Sequence, residues 1–187
     1  MNVAIERLSK LATISRHAKV FAVDAQIIRT KSLEANANER KREILVLHRD
    51  DADPLQRMLN ALQPGSYIRP HRHHAPAKAE TLVLLSGSIG FVTFFDDGSV
   101  DHENLVLLHP AKGALALDCR ESVWHTFFAL EPNTVLFEVK AGPFNPSSGD
   151  KEFAPWAPAE NAPDAQSYLE SLERLFTRRY RPDCGSR

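Results

Sequence analysis

The sequence contains little cysteine, no long hydrophobic run and no excess of charge of one sign. Only Cys119 and Cys184 occur among 187 residues, and no CxxC pair is present, so neither a disulfide framework nor a cysteine-based zinc site is expected. No apolar stretch approaches the roughly 20 residues that span a bilayer. The start MNVAIER also lacks the apolar core of a signal peptide. We therefore expect a cytoplasmic protein with no membrane partner.

The charges are balanced and scattered. The chain has 23 basic and 24 acidic residues, for a formal net charge of -1, and a nucleic-acid footprint would require a basic stripe or patch. The short basic clusters at 40–42 and 178–181 are interpreted as a solvated face and a tail. Hydrophobic content of 43% and charged content of 25% are ordinary for one globular domain with a substantial core.

A histidine-rich segment between Gly65 and Gly87 has the composition of a metal site. It contains His71, His73 and His74, and Glu80 opens the apolar run that follows. Neutral imidazole and carboxylate groups suit Fe, Mn, Ni, Zn or Cu. The alternative is that these histidines belong to a solvated surface loop.

Strand alternation predicts which polar side chains of this segment share a face. If residues 67–73 are extended, alternate side chains share a face, so Tyr67, Arg69, His71 and His73 point one way. His74 points the other way unless the chain bends there. The proline in the stretch 75–78 indicates a turn, after which Glu80 can return beside the histidines.

His125 is the lone polar side chain in the apolar run 123–130. A buried histidine must satisfy both ring nitrogens. Taken alone, His125 is interpreted as a hydrogen-bonded core residue. Together with His71, His73 and Glu80 it completes three imidazoles and one carboxylate, which leaves coordination positions open on a six-coordinate metal. Whether His74 replaces His73 or Glu80 as a ligand stays open.

These residues carry a resemblance to a known family. Gly65, His71, His73, Glu80 and Gly87 resemble the first motif of the cupin superfamily, and His125 stands where the second motif supplies one histidine. The segments 53–62, 64–73, 124–132 and 137–144 look like those of the WbuC family of cupin-fold metalloproteins, over residues 24–176. The gap of six residues between His73 and Glu80 is longer than the usual three or four. The resemblance implies a divalent transition metal and a small ligand, with a lean toward carbohydrate.

The periodicity predicts a helix, a barrel and a helix. An N-terminal helix is expected from the spacing of Ile5, Leu8, Leu11 and Ile14, followed by a second helix from Asp24, its N-cap, to about Ala37. Short β-rich runs between turn signals predict a mainly β, antiparallel jelly-roll barrel of cupin type. Asn161 is expected to cap a C-terminal helix whose apolar stripe comprises Tyr168, Leu169, Leu172, Leu175 and Phe176.

One structural domain is expected, in three parts. Residues 1–42 form an N-terminal helical extension packed on the barrel, residues 43–145 the cupin barrel, and residues 146–187 a C-terminal wrap, helix and disordered tail. The apolar stripe of the last helix could also form a dimer contact, and we expect a homodimer.

The sequence is compatible with an enzyme or with a non-catalytic binding protein. A metal-dependent isomerase or epimerase, or a dioxygenase, would act on a small polar or carbohydrate-like ligand. Tyr67, Arg69 and Lys78 are the candidate catalytic residues, and no organic cofactor is expected. The alternative is a non-catalytic binding or sensor module with a structural or vestigial metal site.

Overall fold

A computed structural model describes residues 4–145 and 150–179. In that part of the chain there are twelve strands and two α-helices. The elements are β1 (Ile5–Ser9), β2 (Ala12–Ser15), α1 (Ala25–Ala37), β3 (Arg42–Val46), β4 (Leu55–Leu62), β5 (His71–Arg72), β6 (Glu80–Ser86), β7 (Ile89–Phe94), β8 (Val106–Leu108), β9 (Ala116–Cys119), β10 (Trp124–Ala129), β11 (Thr134–Ala141), β12 (Glu152–Phe153) and α2 (Ala165–Arg179). The tail expected to be disordered, with Cys184, lies outside the described residues. Neither described helix is long and apolar enough to cross a membrane.

The strands form two sheets with a shared core. One sheet has the order β1-β2-β3-β4-β11-β6-β9 and the other β12-β5-β10-β7-β8. All neighbours are antiparallel except the parallel pair β2 and β3. Leu62 and Leu82 of the first sheet pack with Ile89 and Phe127 of the second, because alternate side chains of each strand face inward. The predicted mainly β jelly roll is confirmed.

Helix α1 covers the outer face of the larger sheet. The Asp24 carboxylate accepts the Ile27 amide hydrogen at 2.9 Å, which caps the helix at the predicted residue. Ile27 packs on the outer cluster around Leu45 and Leu59. Leu33 is 68% exposed, because the helix faces the sheet through residues 31, 32 and 35.

Helix α2 covers the outer face of the smaller sheet. Phe176 meets Phe128 of β10 edge to face at 5.7 Å, and a methyl group on Gly90 would lie only 2.7 Å from the Phe128 ring. The helix starts at Ala165, so the prediction of an Asn161 cap is wrong. The Tyr168 amide donates to the Asp164 carbonyl, which places the first helical hydrogen bond three residues past that cap.

The N-terminal segment is a hairpin and the predicted helix there is wrong. β1 pairs with β2, and β2 continues the large sheet beside β3. Ile14 is buried whereas Leu8 is 50% exposed, so the three-residue apolar spacing does not mark one helical face. The residues gain more from extending an existing sheet edge than from the isolated helix that their spacing suggests.

Candidate metal centre

Three histidines converge between the two sheets. His71 of β5 lies directly opposite His125 of β10 in the ladder, so their side chains share the inner face. Their ring centroids are 4.6 Å apart. His73 follows β5, and one ligand nitrogen from each of the three rings lies within 4.8 Å of the other two. All three side chains are buried.

Glu80 approaches the histidines from the opposite sheet. It begins β6, after the turn predicted at 75–78, which a bridge between His74 and Ala77 closes. Its Oε1 lies 2.9 Å from Nε2 of His125, and its Oε2 lies 3.4 Å from Nε2 of His73. The longer turn therefore still brings Glu80 to the cluster.

His74 is not part of this cluster. Its side chain is exposed, and its Nδ1 lies 2.9 Å from the Ser122 hydroxyl. The position of His74 therefore agrees with strand alternation, which predicts that it points away from His73. His74 does not replace His73 or Glu80 in the cluster.

Backbone carbonyls fix the same tautomer on all three rings. Nδ1 of His71 lies 3.1 Å from the Arg69 oxygen, Nδ1 of His73 2.7 Å from the Asp150 oxygen, and Nδ1 of His125 2.9 Å from the Val123 oxygen. A carbonyl oxygen only accepts, so each Nδ1 must donate. Each Nε2 then carries the lone pair that a metal binds, with its ring held in the way common to metal-ligating histidines.

The buried negative charge of Glu80 requires a cation in the cluster. Burial opposes the charge on Glu80, but the histidines outweigh it and hold the pKa of that carboxyl well below its usual range. Burial opposes the charge on His125 too, yet the Glu80 carboxylate raises the pKa of His125 to about 10. Burial and then the charge of Lys151 lower the pKa of His71 well below its ordinary value. The carboxylate thus retains its charge and requires a positive partner, which a proton or a metal ion can supply.

The donor atoms fit a divalent transition metal. Nε2 of His73, Nε2 of His125 and Oε1 of Glu80 are buried without a hydrogen-bond partner, although two of them are 2.9 Å apart. Donors that share one ion at 2.0–2.2 Å lie about 3 Å from each other. Orphaned buried polar atoms are costly unless something binds them, and these atoms are spaced for that purpose.

Tyr67 lies away from the cluster. Its hydroxyl donates to the Pro158 carbonyl at 2.9 Å, and its ring packs against Tyr168 of α2, where burial raises its pKa. The expectation that Tyr67 shares the face of the histidines is wrong. Residues 66–70 form no strand, so the two-residue alternation does not extend back from His71 across Pro70.

Arg69 and Lys78 occupy different surroundings. Arg69 donates one guanidinium hydrogen to the Ala154 carbonyl at 2.6 Å and lines the cavity described next. Lys78 is buried in an ion pair with Asp150 and donates to the Pro143 carbonyl at 2.5 Å. Because Asp150 also orients His73 through its carbonyl, Lys78 supports the cluster from outside.

A cavity of about 870 Å³ adjoins the cluster inside the barrel. Its lining includes Lys140, whose backbone lies opposite Glu80 in the ladder, and Phe153, whose ring is 6.3 Å from that of His71. The four candidate ligands lie just behind this wall and do not line it themselves. The volume is that of a site for a small molecule.

Sequence reasoning overlooked Lys140 and Asp150. Alternation in β11 places Glu138 and Lys140 on the inward face with Leu136, a pattern that marks charged residues inside a barrel. The parity of β11 could therefore have identified Lys140. Asp150 acts on His73 through its backbone, for which no sequence signal exists.

The described chain forms a jelly roll of two β-sheets. Residues 23–106 match a domain of unknown function, DUF6016, and no curated protein matches the chain. Among solved structures, KdgF from Halomonas sp. is 16% identical, with a TM-score of 0.43 over 57% of this chain and 82% of that one. CapF from Staphylococcus aureus is 19% identical, with a TM-score of 0.45 over 59% of this chain and 31% of the CapF chain.

Oxalate decarboxylase from Bacillus subtilis is 18% identical, with a TM-score of 0.42. The match covers 55% of this chain and 24% of the decarboxylase. This chain thus spans about a third or less of the CapF and decarboxylase chains. At such identities nothing about the activity of these proteins transfers to it.

Proposed function

We propose that this chain is a metal-dependent cupin of the WbuC type, which holds one divalent transition metal ion with His71, His73, His125 and Glu80. The observation that carries the proposal is the convergence of three Nε2 atoms whose tautomers are set by backbone carbonyls. Four protein donors leave positions open for a small polar or carbohydrate-like ligand on a six-coordinate ion.

The bound ion would supply Lewis-acid or redox chemistry. We propose an isomerase or epimerase, or a dioxygenase, acting on a ligand held in the adjoining cavity. The protein contributes a carboxylate held in its charged form and the cationic side chains that line the cavity. Arg69 is the one of the three catalytic candidates that faces this space.

A non-catalytic binding or sensor module is the second candidate. It is favoured by the engagement of two catalytic candidates elsewhere, since the Tyr67 hydroxyl donates to Pro158 and the Lys78 ammonium is paired with Asp150. Under this proposal the ion holds a ligand and no proton is transferred.

Substitution of neighbouring histidines tests the metal proposal. We expect His73→Ala to weaken metal binding by more than the roughly 10- to 100-fold that loss of an outer partner costs. His74→Ala should leave affinity unchanged, because His74 is exposed and bonded to Ser122. Metal content and competition titration measure both.

Thermal melting of the metal-free forms separates a working site from a structural ion. His73→Ala loses one buried hydrogen bond, so its melting temperature should fall by no more than about 10 °C. Equal metal affinities for the two variants would overturn the site. A wild-type chain that unfolds when its metal is removed would favour a structural ion.

A further inference from the structure

The cavity beside the metal cluster contains a buried ammonium group to which the described residues offer no hydrogen bond. Lys140 is only 6% exposed, and among the described residues its closest acid is Glu138, with Nζ to Oε1 at 3.6 Å. The other oxygen of Glu138 accepts from the Asn60 amide at 2.6 Å. Burying a charge is unfavourable unless it is paired and hydrogen-bonded. The Lys140 ammonium is therefore available to an anion that enters the cavity.

Arg69 presents a second free donor to the same space. Its Nη2 donates to the Ala154 carbonyl, while its Nε is buried without a partner. The guanidinium lies 5.7 Å from the centre of the Phe153 ring, and this contact favours one orientation of the guanidinium plane. A guanidinium with free N–H groups binds carboxylate and phosphate oxygens in fixed geometry.

Lys151 adds a third cation and has no ion-pair partner among the described residues. It lines the cavity with Lys140 and Arg69. Its side chain is exposed, so solvent reaches this part of the lining. Lys151 directly precedes β12, which pairs with β5 at His71, and Lys140 lies opposite Glu80 in the ladder. With Arg69 two residues before His71, the three cations lie at the end of the cavity nearest the metal cluster.

The far end of the cavity is partly neutralised. There Arg40 and Arg42 share the Glu160 carboxylate, at 3.0 and 2.7 Å. Over the whole lining, five Lys and Arg side chains face three acids, Asp51, Glu138 and Glu160, so the cavity carries a surplus of positive charge. Between the two ends the walls include Met58 and Phe127, which favour contact with the apolar or carbon-rich part of a ligand.

We propose that this cavity binds a small organic anion, whose carboxylate or phosphate group lies between Lys140, Arg69 and Lys151 and whose remainder extends along the apolar wall. The inference deepens the proposed function, because it names the ligand class of the same site. The volume of about 870 Å³ accommodates a molecule the size of a sugar acid or sugar phosphate.

Calorimetric titration with two probes tests the proposal. Malonate and inorganic phosphate are titrated separately into metal-loaded and metal-free protein at low ionic strength, with glucose as the uncharged control. At least one anion should bind, and glucose should bind more weakly. Binding of malonate assigns a carboxylate ligand and binding of phosphate a phosphate ligand.

Matched substitutions locate the bound anion. Lys140→Met, Arg69→Met and Lys151→Met should each weaken binding by about 10- to 100-fold, as expected for lost hydrogen bonds between charged groups. Lys112→Met and Arg29→Met, at exposed positions, should have no effect. Lys151 is exposed enough that its variant reports on binding even if Lys140→Met fails to fold.

The outcomes separate this proposal from the metal proposal. Anion binding that is insensitive to all three cavity substitutions, or no binding of either anion to metal-loaded protein, would overturn the anion site. A protein that binds malonate or phosphate through these residues but takes up no metal would overturn the metal centre and leave the anion site standing.

Discussion

Each imidazole of the cluster is oriented by a backbone carbonyl and not by an acidic side chain. Two of those carbonyls, of Arg69 and Val123, lie two residues before the ring that they orient. The third belongs to Asp150, 77 residues from His73. The orientation of His73 therefore depends on how firmly the segment around Asp150 is held, and Lys78 holds it through a buried ion pair.

Lys78→Met should destabilise the fold strongly. The change leaves the Asp150 carboxylate buried without a cation, which costs about 3–5 kcal/mol, and it frees the carbonyl that orients His73. Lys78→Met/Asp150→Asn should recover at least half of that loss, because no unpaired charge remains. Urea denaturation measures both, with Lys112→Met as the exposed control. Equal stabilities of wild type and Lys78→Met would show that the ion pair does not hold this segment.

The sequence identified candidate ligands wherever local context was decisive. His125 was recognisable because a single polar residue interrupts an apolar strand, and Glu80 because it follows a proline turn. Tyr67 was misplaced because Pro70 ends the alternation on which its assignment depended. The roles of Lys78 and Asp150 arise from contacts 72 residues apart, which no local pattern encodes.

At the scale of elements, β5 and β10 place the ligands while α2 stabilises the sheet from behind. The odd-numbered His125 and Phe127 of β10 face the interior, whereas Trp124 and Phe128 face α2. The inward face of β10 thus carries a candidate metal ligand, and its outward face packs against α2. Stability contributed by α2 can change without altering the positions of the ligands.

Leu172→Ala on α2 should lower the free energy of unfolding by about 2–5 kcal/mol, because it opens a cavity at a buried position. Leu172 is only 3% exposed and packs in the cluster that contains Phe128 and Phe176, between α2 and the smaller sheet. Metal affinity should be unchanged. Chemical denaturation and metal titration test the two parts.

Glu170→Ala, on the exposed side of the same helix, is the matched control and should stay within about 0.5 kcal/mol of wild type. A Leu172→Ala variant that folds but binds metal more weakly would contradict the separation of the two faces.

Elements with their own local signals were the most predictable. Helix α1 was located by its Asp24 cap, which acts within one turn, and the strands by short apolar runs between turns. The N-terminal hairpin was mistaken for a helix because its apolar spacing fits both structures. Pairing of β2 with β3 decides between them, and that contact joins residues about 30 positions apart.

At the scale of the whole molecule, the order of layers is α1, large sheet, metal cluster and cavity, small sheet, α2. The ligands come from both sheets, since Glu80 lies on the larger one and His71 and His125 on the smaller. Metal binding is therefore expected to stabilise the contact between the two sheets. The homodimer and the cytoplasmic location stay predictions.

Elemental analysis of the purified protein, after exposure to Fe, Mn, Ni, Zn or Cu and removal of excess ion, tests the central claim most directly. The arrangement of three imidazoles and Glu80 predicts about one tightly held divalent transition metal ion per chain. A folded chain that is isolated without metal and binds none of these ions on titration would contradict it.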